Sequence, residues 1–523
     1  MNLAPHPRVL SLDEAATFRP QQIVALSCEL AAAKQQIDWF KRQIFGQKSE
    51  RRIEAVSAGQ LSLGETITPP QPDSPPVAER SIAAHTRRTS KQPTTDDDAV
   101  PFFDATRVPV EVIELCAPEA AGLAPEAFEV IGHKDSYRLA QRPGSYVVLQ
   151  YRRPLIKLKT TQALVCAAAP LGVIDGSRAD VSFIAGLLID KFAYHLPFYR
   201  QHQRLSDAGI TVSRPWLTQL GQQGIALLEP IYAAQLASIR TSRVKAMDET
   251  PIKAGRAGPG KLKTAYFWPV YGELDEVCFP FFESRRAEHI EQALGLTPAE
   301  GAVLLSDGYG AYTQYARKTG LTHAQCWAHT RRKLFEAQVA EPAAQHGLDL
   351  IGGLYAVEAH IRDQALTATQ KLDYRLLQAK PLIERFFAWV NQQFEAQGLL
   401  PSNPLTKALA YARERRLGLA VYLTDPDVPI DTNHLERALR AIPMGRKNWL
   451  FCWTELGAKH VGIMQSLIVT CRLHQVDPYA YLVDVLQRVA IHPAANVQQL
   501  TPRLWKQYFG NNPLRSDLVT VPV

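Results

Sequence analysis

The sequence predicts a multidomain α/β protein, in which a mixed β-sheet covered by helices carries a long helical insertion and follows separate N-terminal parts. Three observations lead there. Between Val244 and Lys333 short β-prone runs and helical runs follow one another as three strands, helix, strand, helix, strand, helix. From about residue 333 to 430 the chain is almost entirely helix-patterned, with Leu350, Ile351, Leu354, Val357 and Ile361 forming one stripe. At 523 residues the chain is also far longer than a single hydrophobic core usually grows.

Residues 1–60 predict a helix. Ile23, Leu26, Leu30, Ala33, Ile37, Phe40 and Ile44 recur at alternating spacings of three and four, an a/d seam. A basic patch of Lys41, Arg42, Lys48, Arg51 and Arg52 closes it. Such a helix packs on its own domain or stands alone as a coiled coil, and the following segment favours the coiled coil. Residues 61–100 hold Pro69, Pro70, Pro72, Pro75, Pro76 and Pro93 and almost no large apolar side chains. They cannot bury enough surface to offset the entropy of ordering, so a disordered linker is expected.

Residues 101–160 read as a small β-rich module, with the run Tyr146 to Tyr151 flanked by Arg152, Arg153, Lys157 and Lys159. Residues 161–240 read as helical. Pro197 to Leu205 forms one helix, Asp207-Ala208-Gly209 a turn, and Ser213 caps a second helix with Pro215 near its start. Helix–turn–helix and ordinary helical hairpin fit this layout equally.

The sheet-forming part follows, within residues 241–475. Val244 to Met247 closes on Asp248-Glu249. Ala265 to Trp268 and Val277 to Phe279 are two further strands of the same sheet, each ending at a proline, Pro269 or Pro280. After a helix from about Ala287 to Leu294, the run Ala302 to Leu305 stops at Asp307-Gly308. A helix from Ala311 to Arg317, a strand from Ala324 to Trp327 and a helix start at His329 come next. Asp248 and Asp307 thus stand at strand ends, where ligands gather in such sheets. Beyond the insertion, helical spacing places Asn433, Glu436, Arg437 and Arg440 on one face, and Arg446 and Lys447 add two cations. Each acid also has an ordinary reading: Asp248 capping a turn, Asp307 capping the next helix, Glu436 pairing with Arg440 on the surface. His329 and Trp327 read as reaching the site from a strand end or, preferred, as structural side chains.

Lysine and arginine number 58 against 51 acids, a net charge of +7, which is too mild to demand a polyanionic partner by itself. The seven cysteines include no C-x-x-C pair, which argues against a disulfide framework or a four-thiolate zinc site. No apolar run is long enough to span a bilayer and the N-terminus lacks a signal-peptide layout. A cytoplasmic, bacterial-type protein without membrane contact is the expectation.

Several long motifs, in order, closely resemble the transposases of the insertion-sequence-66 family. They are Met247 to Thr250, Ser306 to Tyr309, Cys326 to Arg332, Asn433 to Arg440, Gly445 to Phe451 and Val476 to Leu482, with Phe40 to Arg52 and Leu196 to Arg200 also similar. The resemblance places the chain in the DDE group of transposases. It implies a ribonuclease-H-like catalytic core with a helical insertion, plus the N-terminal coiled-coil helix, a helical DNA-binding region and a C-terminal family segment at 476–523. Matched by motif, the three catalytic and metal-binding acids fall on Asp248, Asp307 and Glu436, with Glu249 the nearest wrong register. Mg²⁺, or alternatively Mn²⁺, is the implied cofactor. Two such ions can activate water and stabilise the departing 3′ oxygen, after which the freed 3′ hydroxyl attacks target DNA.

Arg437, Arg440, Arg446 and Lys447, with Lys41 and Arg42, are the candidate DNA contacts. The implied partners are double-stranded DNA at the element ends and target, a second copy through the heptads, and accessory proteins of the same element. One departure stands out. Family members carry a cysteine-rich zinc module after the linker, but the matching region here has only Cys116 and, distantly, His133. Two ligands cannot close a tetrahedral site, so a degenerate module without zinc, held by apolar packing, is expected. A DNA-binding regulator derived from a transposase and another two-metal DNA nuclease are the competing readings.

Overall fold

The computed structural model describes residues 102–520, apart from 121–122, 143, 259, 397–399, 450–451 and 453. The heptad helix with Lys41 and Arg42 and the proline-rich segment lie outside the described residues.

The first described part is a four-stranded sheet of β1 (Val110–Glu114), β2 (Phe128–Arg142), β3 (Ser145–Leu158) and β4 (Leu164–Cys166). β2 and β3 form a long antiparallel hairpin turning at Gly144, whose φ of 84° suits a residue without Cβ. The end of the hairpin near this turn is buried through Leu139, Val147, Val148 and Leu149. Val148 and Leu139 share one apolar core with Phe183, Ile184 and Leu187 of α1 (Val181–Phe192). Asp180 caps α1 by accepting from the Ser182 amide at 2.8 Å.

The helical region follows the expected punctuation. α2 (Phe198–Asp207) ends in a turn where Gly209 has φ 87°, and α3 (Arg214–Thr241) begins with the Ser213 hydroxyl accepting from the Trp216 amide at 3.3 Å. α3 is longer than the sequence pattern suggests. Leu217, Leu220, Ile225, Leu228, Ile231 and Ile239 bury one face along its whole length, so packing carries the helix through Pro230.

Two sheets follow. β5 (Val244–Met247), β8 (Val270–Gly272), β9 (Glu276–Cys278), β11 (Val303–Ser306) and β12 (Thr322–Gln325) form the larger, in the order β12-β11-β5-β8-β9. β5, β11 and β12 are mutually parallel, and β8 runs antiparallel to both β5 and β9. β6 (Thr250–Gly258), β7 (Lys261–Phe267) and β10 (Phe281–Phe282) make a separate three-stranded sheet. Here the sequence reading needs correction. Ala265 to Phe267 belong to this second sheet, and the place beside β5 is taken by β8. The chain changes sheets at Pro269, which has no N–H to continue a ladder, while its carbonyl accepts from the Asp248 amide at 3.3 Å.

α4 (Glu288–Leu294) precedes β11, α5 (Gly310–Thr319) links β11 to β12, and α6 (Trp327–Gln338) leaves β12. β5 and β11 are buried throughout. Buried Lys245 on β5 donates to the Ser242 and Arg240 carbonyls, closing the C-terminal end of α3.

Helices α7 (Ala344–Asp363), α8 (Lys380–Ala396) and α9 (Pro404–Glu414) build the insertion, with Ile351, Leu354, Val357 and Ile361 buried as the stripe requires. Arg375, 2% exposed, pairs with Glu358 at 2.8 Å and donates to the Tyr422 and Asp425 carbonyls, tying the insertion's ends together. α10 (Asn433–Leu439) and α11 (Ala441–Gly445) lead to α12 (Glu455–Leu473), which is buried along most of its length. α12 packs on β9. The Ser466 hydroxyl accepts from the Phe279 amide at 2.9 Å, and Gln235 of α3 donates to Thr470 and to the Val277 carbonyl. α13 (Pro478–Arg488) is capped by Asp477 and closes the C-terminal part. No helix among the described residues is long and apolar enough to cross a membrane.

Candidate metal centre

The site is built from strand ends. β5 and β11 are adjacent and parallel, with Leu305 paired to Ala246. Asp248 directly follows β5 and Asp307 directly follows β11, and the charge of Asp307 is felt at the Asp248 carboxyl. Asp248 turns its carboxylate through a hydrogen bond accepted from the Glu249 amide at 2.8 Å. Asp307 accepts from the Tyr309 amide at 2.9 Å, which shapes the Asp307-Gly308 turn into α5. A Cβ at Gly308 would press on the Arg415 guanidinium and the Tyr411 ring, so a side chain there would have to displace them. The Gly308 carbonyl accepts from Arg415 at 2.9 Å, so the insertion presses directly on this turn.

Glu436 comes back from the far side of the insertion. The segment before α10 docks on the end of β12: the Ile430 carbonyl accepts from the Trp327 amide at 3.1 Å, and Thr432 donates its amide and hydroxyl to Cys326 Sγ at 3.3 Å each. The Cys326 amide in turn donates to the Ser306 carbonyl at 3.2 Å. Glu436, in the first turn of α10, is thereby carried to the sheet end that bears Asp248 and Asp307.

A histidine joins them. Asp248, His329 and Glu436 each offer one ligand atom, and these three atoms lie within 4.8 Å of one another. His329 Nε2 stands 3.9 Å from Glu436 Oε1. Glu436 Oε1 and His329 Nδ1 are both buried without a hydrogen-bond partner among the described residues. Of these, Glu436 Oε1 is the atom that faces the ring nitrogen of the cluster, where a cation could satisfy it. Carboxylate and imidazole donors converging within this distance fit a divalent cation.

The electrostatics agree with that fit. Burial above all, joined by the charges of Glu249, Asp307 and Glu436 and opposed by the Glu249 amide, pushes the Asp248 carboxyl up to about 7. Burial lowers the His329 imidazole below its ordinary value, against the pull of Asp307 and Glu436. Glu249 has a different fate. Burial raises its carboxyl as well, but its side chain is only 3% exposed and already engaged, by Arg285 and by the Tyr312 hydroxyl at 2.7 Å.

Of the three acids singled out by sequence, Asp248 and Glu436 enter the donor group; Asp307 lies outside it, and its charge acts on the Asp248 carboxyl. His329 is the correction. Its preferred reading was structural, yet α6 starts at Trp327 and its first turn presents the ring to Glu436. Trp327 is the structural side chain, buried with its indole donating to the Leu419 carbonyl at 2.8 Å. Helical spacing could have signalled the rest, since His329 and Arg332 share a face and Arg332 lies 3.5 Å from Glu436 Oε2. That contact replaces the surface pairing with Arg440 considered for Glu436. Arg437 is exposed on α10, Arg440 caps that helix instead of extending it, and Arg446 and Lys447 are exposed beyond α11. Asn433 turns back to Asp431. Cys116 and His133 are both exposed.

Comparison with known proteins places these residues in a wider setting. Residues 176–460 match the profile described as Transposase IS66 family, and residues 466–503 match the IS66 C-terminal element. Residues 32–98 match the profile described as Transposase C of IS166 homeodomain. Among curated relatives, the uncharacterized protein y4hP of Sinorhizobium fredii (strain NBRC 101917 / NGR234) is 27% identical over 91% of this chain and 89% of its own length. From the same organism, y4jD is 28% identical over 93% of this chain and 97% of its own length. The third, y4qI, is 30% identical over 75% of this chain and 74% of its own length. Both of these are likewise described as uncharacterized.

Proposed function

Because the chain belongs to the IS66 family of transposases, a family that binds DNA, we propose that it cuts DNA at the ends of its insertion sequence and joins them to target DNA at the centre described above. The observation that carries this reading is the convergence of half-buried Asp248, His329 and Glu436, with Asp248 following the end of β5, which runs parallel to β11. The strand order β9-β8-β5-β11-β12, with β8 alone reversed, supports reading this sheet as the ribonuclease-H-like core of the DDE group.

Asp248, Asp307 and Glu436 would hold Mg²⁺ or Mn²⁺. A divalent ion bound by them lowers the pKa of a coordinated water and offsets charge on the leaving 3′ oxygen. The chain's own part is to exclude water around Asp248, to hold the Asp307 turn through Arg415, and to bring Glu436 across the insertion. The exposed Arg437, Arg440, Arg446 and Lys447 supply cations for the DNA backbone near Glu436, with Lys41 and Arg42 as further candidates. The β2–β3 module is read as the degenerate zinc module, ordered by Val147, Val148 and Leu149 instead of a metal. Self-association through the heptads and accessory proteins of the element belong to the same reading.

The test uses labelled duplexes carrying the element's own ends, with Mg²⁺ and the full-length protein. Wild type is expected to cleave and join; Asp307→Asn and Glu436→Gln are expected to bind the ends but do neither. Full activity in Asp307→Asn would show the site to be misassigned. Cutting without joining points to a nuclease, and binding alone to a regulator.

A further inference from the structure

We propose that His329 is a nitrogen ligand of the same centre, making it a mixed carboxylate–imidazole site that holds Mn²⁺ in preference to Mg²⁺; this rests on the metal-centre reading above and deepens it. The placement of the ring is not incidental. α6 is pinned at its first residue, where Trp327 donates its amide to Ile430 and its indole to Leu419, and the Trp327 ring meets Phe386 edge to face at 5.4 Å. Two residues later the imidazole faces Glu436 with little freedom to leave.

Its separation from Glu436 argues for a shared ion. At 3.9 Å, Nε2 and Oε1 are too far apart for a charge-assisted hydrogen bond, which closes to about 2.7–2.9 Å. Two donors that each sit about 2.1 Å from one ion are roughly 3–4 Å apart. The Glu436 Oε1 that faces His329 Nε2 is itself buried and without a hydrogen-bond partner.

The chemical consequence is a change of metal preference. Mg²⁺ takes oxygen ligands and keeps its waters, whereas imidazole suits transition metals better. Untagged full-length protein, titrated with Mn²⁺ alone, is expected to show the ¹⁴N coupling of one bound imidazole in pulsed electron paramagnetic resonance. In His329→Gln the Mn²⁺ is expected to remain bound but about ten-fold or more weaker, with that coupling gone. In wild type, Mg²⁺ should displace the Mn²⁺ only in at least roughly ten-fold excess. Bound Mn²⁺ with oxygen coupling alone would overturn this inference and leave the carboxylate centre standing. A nitrogen signal that persists in His329→Gln would overturn it as well. Failure of wild type to bind Mn²⁺ at all would remove both this inference and the metal centre beneath it.

Discussion

Asp248 and Glu249 are chain neighbours with opposite employment. Burial acts on both, but Arg285 and Tyr312 occupy Glu249, while Asp248 keeps company with Glu436, Asp307 and His329. The Asp248 carboxyl is pushed up to about 7 from an ordinary 3.8. Between those values the folded protein holds a proton that the unfolded chain has released. This group therefore favours folding fully below the lower value, and that contribution is lost as pH rises through the upper one. A bound divalent ion reverses the balance, because it requires the ionised form. The rise in melting temperature on adding Mn²⁺ is accordingly expected to be larger near about pH 8 than near about pH 6; equal shifts at the two would contradict it. Asp248→Asn is expected to abolish the metal response at both. Glu249→Gln is expected to keep Mn²⁺ binding while costing about 1–2 kcal/mol of stability, since it weakens the hydrogen bonds of a buried carboxylate to half-exposed Arg285 and to Tyr312 without touching the donor group. Calorimetric titration and thermal melts of the two variants separate these roles.

At the scale of elements, the helical insertion is a device for bringing α10 to the strand ends. Its return is fixed where Ile430 and Thr432 bond to Trp327 and Cys326, and a second contact reaches the Asp307 turn through Arg415. The Arg415 guanidinium lies 3.8 Å from the Tyr411 ring centroid, so the side chain is held at both ends. Arg415→Ala is expected to lower the cleavage rate between about 10- and 100-fold, because small misplacement of a reacting group is costly. Affinity for the DNA ends should be unchanged, since Arg415 is engaged within the fold. A binding defect of the same size, seen by gel shift, would instead make Arg415 a DNA contact.

Over the whole molecule, the C-terminal segment is fastened to the larger sheet through buried ionic groups. Glu276 of β9, 1% exposed, accepts from Arg503 at 3.1 Å and from Ser238 of α3 at 2.6 Å. Asp484 of α13 is fully buried and accepts from Arg488 at 2.6 Å, from the Trp505 indole at 2.8 Å and from the Leu514 amide. Removing Asp484 strands all three donors in a dry setting. Asp484→Ala is expected to cost about 3–5 kcal/mol, read as a large fall in melting temperature of the full-length protein. A loss under about 1 kcal/mol would mean that water replaces the carboxylate and that the C-terminal segment is only loosely fastened.

Local chemistry made much of this legible before any coordinates. Ser213 and Pro215 announce the start of α3, the dense apolar runs of β5 and β11 announce buried strands, and the three-and-four stripe from Ile351 to Ile361 announces α7. Each of these depends on residues a few positions apart, so the sequence carries it directly. The heptads and linker stay as sequence-level expectations, outside the described residues. Tertiary structure decided the rest. Whether Ala265 to Trp268 lies beside β5 depends on which distant strand offers a ladder, and β8 takes that place. His329 becomes a metal-site candidate only because a hundred-residue insertion folds back and lays Thr432 against Cys326. Proximity between remote side chains is set by the packing between them, which neither periodicity nor composition encodes at any single position.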